Sequence, residues 1–232
     1  MRLAKPRIDI GFQTNDAKPL LEFWQKEIGL PFDHSLPIRR GQVQHRHDLL
    51  GSVLKINEME APIPDRPPSG YRELLIAREG LGAPRPMADP VGNRLSLVPK
   101  GTHGIERIGV RMGVRDLDAH RRYFGEALGL QEIANEPGRA TFRAGDSIIM
   151  LEPDPAAGDD ATFDGPGWRY ITFQVFEVDR EHAHVLAHGG QEARAPVTLG
   201  KVARISMVRD PDGNWMELAQ RASITGSLEV KP

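Results

Sequence analysis

The strongest constraint on the fold of this 232-residue chain is a repeat within its own sequence. Residues 8–30 align with residues 108–130 at a constant offset of 100. Asp16 aligns with Asp116, and both segments end in the same Gly-Leu pair. Self-similarity at a fixed spacing indicates that one supersecondary unit is present more than once. The two segments are therefore expected to share one secondary structure.

Each copy has the pattern of a strand followed by a helix. Apolar residues alternate with polar ones in 8–13 and 109–114, as in a strand with one buried face. The two aligned aspartates are placed to cap a helix, and Gly29 and Gly129 to end it in the left-handed conformation. Three short strands are predicted after each helix, near 31–36, 42–48 and 52–57 and near 130–135, 139–144 and 147–151. The unit is thus a strand, a helix and three strands.

A second, weaker repeat adds two more units. Residues 69–74 resemble residues 166–171, and an Asp-Pro-x-Gly-Asn turn at 89–93 recurs at 210–214. The second pair is further apart than the first by about the length of a short helix and a loop. Residues 179–189 have the pattern of such a helix in the later unit. The chain is predicted to contain four related units, the second of them truncated.

Segments rich in proline, glycine and aspartate separate the units. Residues 60–70 and 153–167 have this composition and are predicted to lack helix and central strand. We expect an N-terminal half (1–100), a C-terminal half (101–220) and a polar tail (221–232). The predicted fold class is α+β, with curled, largely antiparallel sheets and helices on their outer faces.

The composition excludes several classes of function. The chain has no cysteine, which excludes disulfides, thiol catalysis and Cys-ligated metals. Its 30 Lys and Arg against 32 Asp and Glu give no electrostatic reason to expect nucleic acid or a membrane as partner. The sequence has no dinucleotide-binding, phosphate-binding or serine-hydrolase motif. Without a signal-like or membrane-spanning apolar run, a cytoplasmic protein is expected.

Four such units, with two Asp-Pro-x-Gly-Asn turns, resemble the vicinal oxygen chelate superfamily. That superfamily includes glyoxalase I, bleomycin-resistance proteins and extradiol dioxygenases. The resemblance covers residues 7–220 and is strongest at 209–218. It implies two cup-shaped halves, each formed by paired units and each holding a divalent metal through inward side chains.

The resemblance also assigns the metal-ligand positions of the family to residues of this chain. It implies Gly109, Met150, Tyr170 and Glu217 in the C-terminal half, and Asp9, Lys55, Glu73 and Ser96 in the N-terminal half. Only Glu217 retains a residue type that the family uses there. Because a catalytic metal generally needs about three protein ligands, the usual site is not expected in the C-terminal half. Lys55 beside Asp9 and Glu73 is predicted to form a buried ion-pair cluster.

Two histidines form the clearest candidate pair outside those positions. His45 and His47 are two residues apart in a predicted strand, so both point to one face. A three-residue hairpin loop ending at Gly51 would turn them into the cup, with His47 opposite Val53 and His45 opposite Lys55. The other register turns both away from the cup. They are candidate metal ligands or acid–base groups in the first case, and structural or solvated histidines in the second.

The remaining candidates depend on the predicted inner faces. Glu217 is a candidate metal ligand or general base, or else a carboxylate hydrogen-bonded in the cup or paired with Arg111. Arg111, Arg115 and Tyr170 are predicted to share one cup, where they would bind an anionic small molecule. Ligand-binding roles are predicted for Arg111, Asp9, Gln13 and Glu73.

Two functions remain open at this point. The first is an enzyme with lyase, isomerase or ring-cleaving dioxygenase chemistry on an oxygen-rich or aromatic compound. There a divalent metal would polarise the substrate, with Glu217, Tyr170, His45 and His47 as catalytic candidates. The second is a metal-free protein that binds or sequesters such a molecule, as bleomycin-resistance proteins do. A small molecule is the expected partner in both, and a homodimer is a possible state.

Overall fold

The structure, a computed structural model, describes residues 1–226 and residue 228. Residues 227 and 229–232 of the predicted polar tail lie outside the described residues. The prediction of a tail from residue 221 is wrong at its start, because residue 221 ends a strand and a short helix follows it. Most of the described chain forms strands, with few helices, which confirms the predicted α+β class.

Three of the four units contain a strand, a helix and three further strands, as predicted. The first contains β1 (Leu3–Thr14), α1 (Lys18–Glu22), β2 (Phe32–Arg39), β3 (Gln42–Leu49) and β4 (Ser52–Met59). The truncated second unit contains β5 (Tyr71–Arg78), β6 (Arg85–Ala88) and β7 (Arg94–Pro99). The third contains β8 (Ile108–Val114), α2 (Leu117–Arg122), β9 (Gln131–Glu136), β10 (Arg139–Ala144) and β11 (Ser147–Pro153). The fourth contains β12 (Trp168–Val175), α3 (Val178–Ala187), β13 (Gln191–Leu199), β14 (Ala203–Arg209) and β15 (Trp215–Arg221), and α4 (Ala222–Thr225) follows it.

The helices of the first and third units end in the same way. Each widens into a π-helical turn, at Phe23–Glu27 and Tyr123–Ala127. Gly29 and Gly129 follow with φ angles of 77° and 61°, as the sequence predicted. Each glycine thus reverses the chain from its helix toward the next strand.

The predicted helix caps differ between the two copies. Asp116 caps α2, because its side chain accepts a hydrogen bond from the backbone N–H of Ala119. In α1 the cap position falls on Ala17, and the side chain of Asp16 accepts a bond from the N–H of Lys18 instead. The predicted cap is therefore confirmed in the third unit and displaced by one residue in the first.

The strands form two sheets that each combine units from both halves of the chain. The first sheet has eight strands in the order β13-β14-β15-β12-β1-β4-β3-β2. The second has seven strands in the order β6-β7-β5-β8-β11-β10-β9. The first unit therefore pairs with the fourth through β1 and β12, and the second pairs with the third through β5 and β8.

This pairing corrects one prediction from the sequence. Each half of the chain was expected to form its own cup, and neither does. Each unit presents one edge strand to a partner unit, and all four edges come from copies of the same block. The sequence repeat therefore does not indicate whether the first unit pairs with the second unit or with the fourth.

The two Asp-Pro-x-Gly-Asn segments form the same tight turn. The carboxylate of Asp210 accepts bonds from the backbone N–H groups of residues 212 and 214 and from the Asn214 side chain. Asp89 makes the equivalent bonds within its own turn. Gly213 has a φ of 78°, which a residue with a side chain adopts only with strain. Each turn leads directly into the last strand of its unit.

A buried arginine holds the two proline-rich linkers against the first sheet. The side chain of Arg169 is fully buried on β12 and donates to the backbone carbonyls of Pro67, Thr162 and Pro166. Neither linker forms helix or strand over 61–70 and 154–167, as predicted. The guanidinium thus satisfies carbonyl groups that have no strand partner in either linker.

The main hydrophobic core lies between the two sheets and includes the helices. Ile10 and Phe12 of β1, Trp24 beside α1 and Phe124 beside α2 are all fully buried in it. Alternation along β1 then directs Asp9, Gly11 and Gln13 to the opposite face of the first sheet. In the described part of the chain, no helix combines the length and the apolar character needed to cross a membrane.

Candidate functional site

The concave face of the first sheet encloses a cavity of about 340 Å³, here called the first cup. Its floor is polar, and is formed by Gln44, Arg46, Lys55, Asn57, Tyr170, Gln174 and Glu217. Its walls are largely apolar, and are formed by Leu36, Ile38, Phe163, Val197, Leu199, Val202, Ile205 and Met207. The strand hairpins β2–β3 and β13–β14 supply most of the walls, because they lie at opposite ends of the sheet.

An ion pair occupies the centre of the floor. The Nζ of Lys55 lies 2.6 Å from Oε2 of Glu217, and their side chains are only 5% and 14% exposed. The hydroxyl of Thr172 lies 2.6 Å from both Nζ and Oε2. The strand register explains the triangle, because Thr172 is directly opposite Glu217, while Gly11 is opposite both Lys55 and Tyr170. Lys55 does form an ion pair, but with Glu217 and not with Glu73.

A second buried carboxylate adds to this cluster. Asp9 is fully buried and accepts bonds from Lys5 Nζ at 2.8 Å, from the N–H of Val53 at 2.9 Å and from Gln174 at 3.2 Å. Burial would raise the pKa of Asp9, but the charges of Lys55 and Lys5 outweigh it and the pKa is lowered. Asp9 therefore stays ionised beneath the cup.

The carboxyl group of Glu217 is held ionised in the same manner. Burial would raise its pKa, but the charge of Lys55 and the hydrogen bonds from Lys55 and Thr172 lower it below the ordinary value. A carboxylate with a lowered pKa is a weak base. Glu217 is thus suited to holding Lys55 in place.

The residues of the first cup do not fit the divalent metal that the family resemblance implies. An ammonium group lies against the carboxylate of Glu217, where a metal would need an open ligand. Among the residues that the structure describes, no three His, Asp or Glu side chains are grouped to hold a metal ion. The donor set is that of an ion pair supported by a hydroxyl group.

Tyr170 lies on the cup floor against a glycine. A Cβ atom on Gly11 would overlap the ring of Tyr170, so only glycine leaves room for the ring there. The hydroxyl of Tyr170 accepts a bond from Asn57 at 3.1 Å. Burial and the charge of Glu217 raise the pKa of Tyr170 well above its usual range, so the phenol stays neutral. Gln13 lies on the same face, opposite Asn57.

Of the two registers that the sequence left open, the structure has the one that turns both histidines away from the cup, and the three-residue loop is wrong. His47 is opposite Leu54 and His45 is opposite Ile56, which turns both away from the first cup. His47 is fully buried beside Gln25 and the ring of Phe32, and burial lowers its pKa to about 4.

His45 makes its contacts outside the cup. Its ring nitrogens lie 2.8 Å from the Ser35 hydroxyl and 3.0 Å from the Glu58 carboxylate, on the face that bears α1. Neither predicted histidine therefore contributes to the cup floor.

A two-residue loop, Leu50-Gly51, causes this register. Leu50 takes a positive φ of 56°, which costs a residue with a side chain about 1 kcal/mol. The three-residue loop would avoid that strain but would turn Arg46 into the hydrophobic core. Burying a guanidinium without a partner costs several kcal/mol, so the strained loop is favoured. A bond from the Gly51 N–H to Asp48 supports the turn.

The same register brings to the floor a residue that was not predicted from the sequence, Arg46. Arg46 is directly opposite Lys55, is 6% exposed and donates to Gln44 at 2.6 Å. Alternation counted back along β3 from a two-residue loop would have placed Arg46 on the floor of the cup. Phe163 was also missed, because it lies in a linker without periodicity. Its ring centroid is 5.3 Å from that of Tyr170 and 5.1 Å from that of Trp215.

The chain itself fills one end of the concave face of the second sheet, and an open cavity of about 330 Å³ lined by Glu73, Arg111 and Glu152 lies at the other end. Ile105 packs at the filled end with Leu75, Ile148 and Met150, in a small hydrophobic cluster. A Cβ on Gly109 would come within 2.7 Å of the Ile105 side chain. The segment that joins the two halves thus occupies the space beside Gly109 and Met150, where the family resemblance implied metal ligands.

The remaining predicted residues belong to the second and third units, whose strands form the second sheet. Arg111 pairs with Glu73 at 2.9 Å, and Glu73 also accepts a bond from Ser96 at 2.6 Å. Arg115 pairs with Asp159 on the surface. The predicted pairing of Arg111 with Glu217 is therefore wrong, as is a shared cup for Arg111, Arg115 and Tyr170. Both errors arise because the third unit pairs with the second and not with the fourth, which separates Arg111 from Tyr170 and Glu217.

The family model described as "Glyoxalase/Bleomycin resistance protein/Dioxygenase superfamily" matches residues 104–218. Through this C-terminal half, the chain belongs to that superfamily. No curated protein sequence matches the chain.

Solved structures from the same superfamily resemble most of the chain. Glyoxalase I from Zea mays superposes with a TM-score of 0.74 at 14% identity, covering 94% of this chain and 92% of that one. A putative dioxygenase from Bacillus subtilis superposes with a TM-score of 0.69 at 12% identity, covering 100% and 92%. At these identities the likeness shows the fold alone and is no evidence about the chemistry.

Proposed function

We propose that the protein binds a small oxygen-rich or aromatic molecule in the first cup without a metal ion. The observation that carries this proposal is the ion pair of Lys55 and Glu217 at the centre of the cup floor. A bound metal would have to displace the ammonium group of a lysine whose side chain is only 5% exposed, and which two oxygen atoms hold at 2.6 Å. A ligand that stays above this pair needs no such displacement.

The cup walls support an aromatic or otherwise apolar body for the ligand. The rings of Phe163 and Tyr170 line one side of the cavity, and the ring of Trp215 packs against Phe163. Four apolar side chains at the rim are each at least 40% exposed, and these are Ile38, Val197, Leu199 and Val202. A cavity with apolar walls and a few convergent polar groups is typical of small-molecule sites.

The dioxygenase and glyoxalase alternatives would need a metal-ligand set at this position. The described residues supply there the carboxylates of Glu217 and Asp9, each bound to a lysine ammonium group, and the hydroxyl of Thr172. Binding or sequestration is therefore favoured over metal-assisted chemistry.

Replacing Phe163 with alanine is expected to weaken binding of an aromatic molecule about tenfold. The reason is the loss of one ring face and its packing area from the cavity wall. The measurement is a fluorescence titration with the neutral probe N-phenylnaphthylamine, in buffer that contains EDTA.

Phe32→Ala is the matched control for this experiment. Phe32 is also a partly exposed phenylalanine beside an aromatic ring, but it lies against His47, outside the cavity lining. Probe affinity in this variant should equal that of the wild type. Equal affinity in all three proteins, or binding that requires added metal, would contradict the proposed function.

A further inference from the structure

We infer that the ligand of the first cup is an organic carboxylate, bound through the guanidinium groups of Arg46 and Arg221. The inference rests on the proposed function and specifies the chemical class of its ligand. It depends on the charges of the cavity lining and on the surroundings of Arg46.

The lining of the cup carries a strong excess of positive charge. Its charged side chains are Arg39, Arg46, Lys55, Arg194, Arg221 and Glu217. Lys55 and Glu217 neutralise each other through their contact. Across the described residues, no ion pair involves any of the four arginines. The chain as a whole has a net charge of −2, so this excess is local to the cup.

Arg46 is built into the floor at a position where its charge is costly. The residue is 6% exposed, and its Nε is buried without a hydrogen-bond acceptor. Its one hydrogen bond from NH1 goes to the neutral side chain of Gln44. A buried charge without a partner is strongly destabilising unless another group compensates it.

Arg221 increases this cost from the opposite side of the cup. It ends β15, which lies four strands from Arg46 in β3, and both side chains line the cavity because the sheet curls. Burial and repulsion from Arg221 both lower the pKa of Arg46, while Asp9, Tyr170 and Glu217 act in the other direction. An anion between the two guanidinium groups would relieve the repulsion and supply the missing acceptor.

A carboxylate matches this arrangement better than a neutral oxygen-rich group. Its two oxygens accept parallel N–H bonds from one guanidinium group, and its charge is compensated by two. The apolar walls then contact the rest of the molecule. Glu217 does not repel such a ligand strongly, because Lys55 and Thr172 hold its charged oxygen.

The test compares two competitors of the same shape that differ in charge. Naphthoate and naphthamide each displace N-phenylnaphthylamine from the wild-type protein, and naphthoate is expected to do so at about tenfold lower concentration. Arg46→Gln should raise the naphthoate concentration needed to that of naphthamide and leave naphthamide unchanged. Arg143→Gln is the control, since it removes the same charge from an exposed position on β10 of the second sheet.

The outcomes distinguish failure of the carboxylate inference from failure of the proposed function. Equal displacement by the two competitors in the wild type, with the probe still bound in the cup, would overturn the carboxylate inference and leave the proposed function standing. The same loss of naphthoate affinity in Arg143→Gln as in Arg46→Gln would also overturn it, because the effect would then be one of net charge. Failure of the wild type to bind the neutral probe at all would reject the proposed function itself.

Discussion

Lys55→Met is expected to lower the free energy of unfolding by about 3–5 kcal/mol, which is the range for breaking a buried ion pair by removing one partner. The substitution leaves Glu217 buried with only Thr172 as a neutral donor, and it removes one of the two charges that compensate Asp9. The methionine side chain has nearly the same length, so lost volume contributes little. Urea denaturation at neutral pH measures the change.

The exposed pair of Lys100 and Glu79 provides the control. Their side chains are 45% and 82% exposed, and solvent screening leaves a pair of this kind with little effect on stability. Lys100→Met should therefore be close to wild type. A cost below about 1 kcal/mol for Lys55→Met as well would show that the buried pair does not organise the cup floor.

The same comparison has a defined pH dependence. In the wild type the pKa of Glu217 is lowered from 4.5, so the stability it contributes is present above pH 4.5 and is lost as pH falls through the lower value. In Lys55→Met burial acts without its main opposing charge and raises the pKa of Glu217. At low pH the carboxyl group of Glu217 in the variant is protonated and neutral, so its burial no longer destabilises the protein. The difference in stability between the two proteins should therefore begin to shrink above pH 4.5, as the pH falls through the raised pKa of Glu217 in the variant, and should shrink further below pH 4.5, where the wild type loses its contribution.

The second large effect is expected at Arg169. Arg169→Met should lower the free energy of unfolding by about 2–4 kcal/mol, because three backbone carbonyls of the two linkers lose their donor in a buried region. The loop that carries Phe163 should also become more accessible. Urea denaturation measures the first effect, and the rate of proteolytic cleavage within 154–167 measures the second.

Arg139→Met is the matched control for that variant. Arg139 pairs with Glu136 in an exposed hairpin, and such pairs contribute about 1 kcal/mol or less. If both arginine variants were equally stable and equally resistant to protease, Arg169 would not be the group that fixes the linkers.

Much of the fold was predictable because repetition and periodicity act locally. The strand–helix–three-strand unit, the left-handed glycines and the two tight turns each depend on a few neighbouring residues. The alternation along β12 and β15 also placed Tyr170 and Glu217 on one face correctly. The pairing of the units was not predictable in this way, since it depends on contacts between strands more than 150 residues apart.

The residues on the cup floor were predicted incorrectly for a second physical reason. One residue more or less in the Leu50-Gly51 loop exchanges the two faces of β3, and with them His45 and His47 for Arg46. Local turn preference favoured the wrong loop, because the strain at Leu50 is visible in the sequence. The larger cost of burying Arg46 depends on which face of β3 packs on the hydrophobic core, and local sequence does not determine that.

We propose that the ammonium–carboxylate pair of Lys55 and Glu217 takes the place of a metal ion in the first cup. The most direct test is elemental analysis of untagged protein that has been incubated with manganese, iron and zinc salts and then desalted. We predict far less than one metal ion per chain, and no change in melting temperature when EDTA or manganese is added. One ion per chain that is lost in Glu217→Gln would contradict the claim.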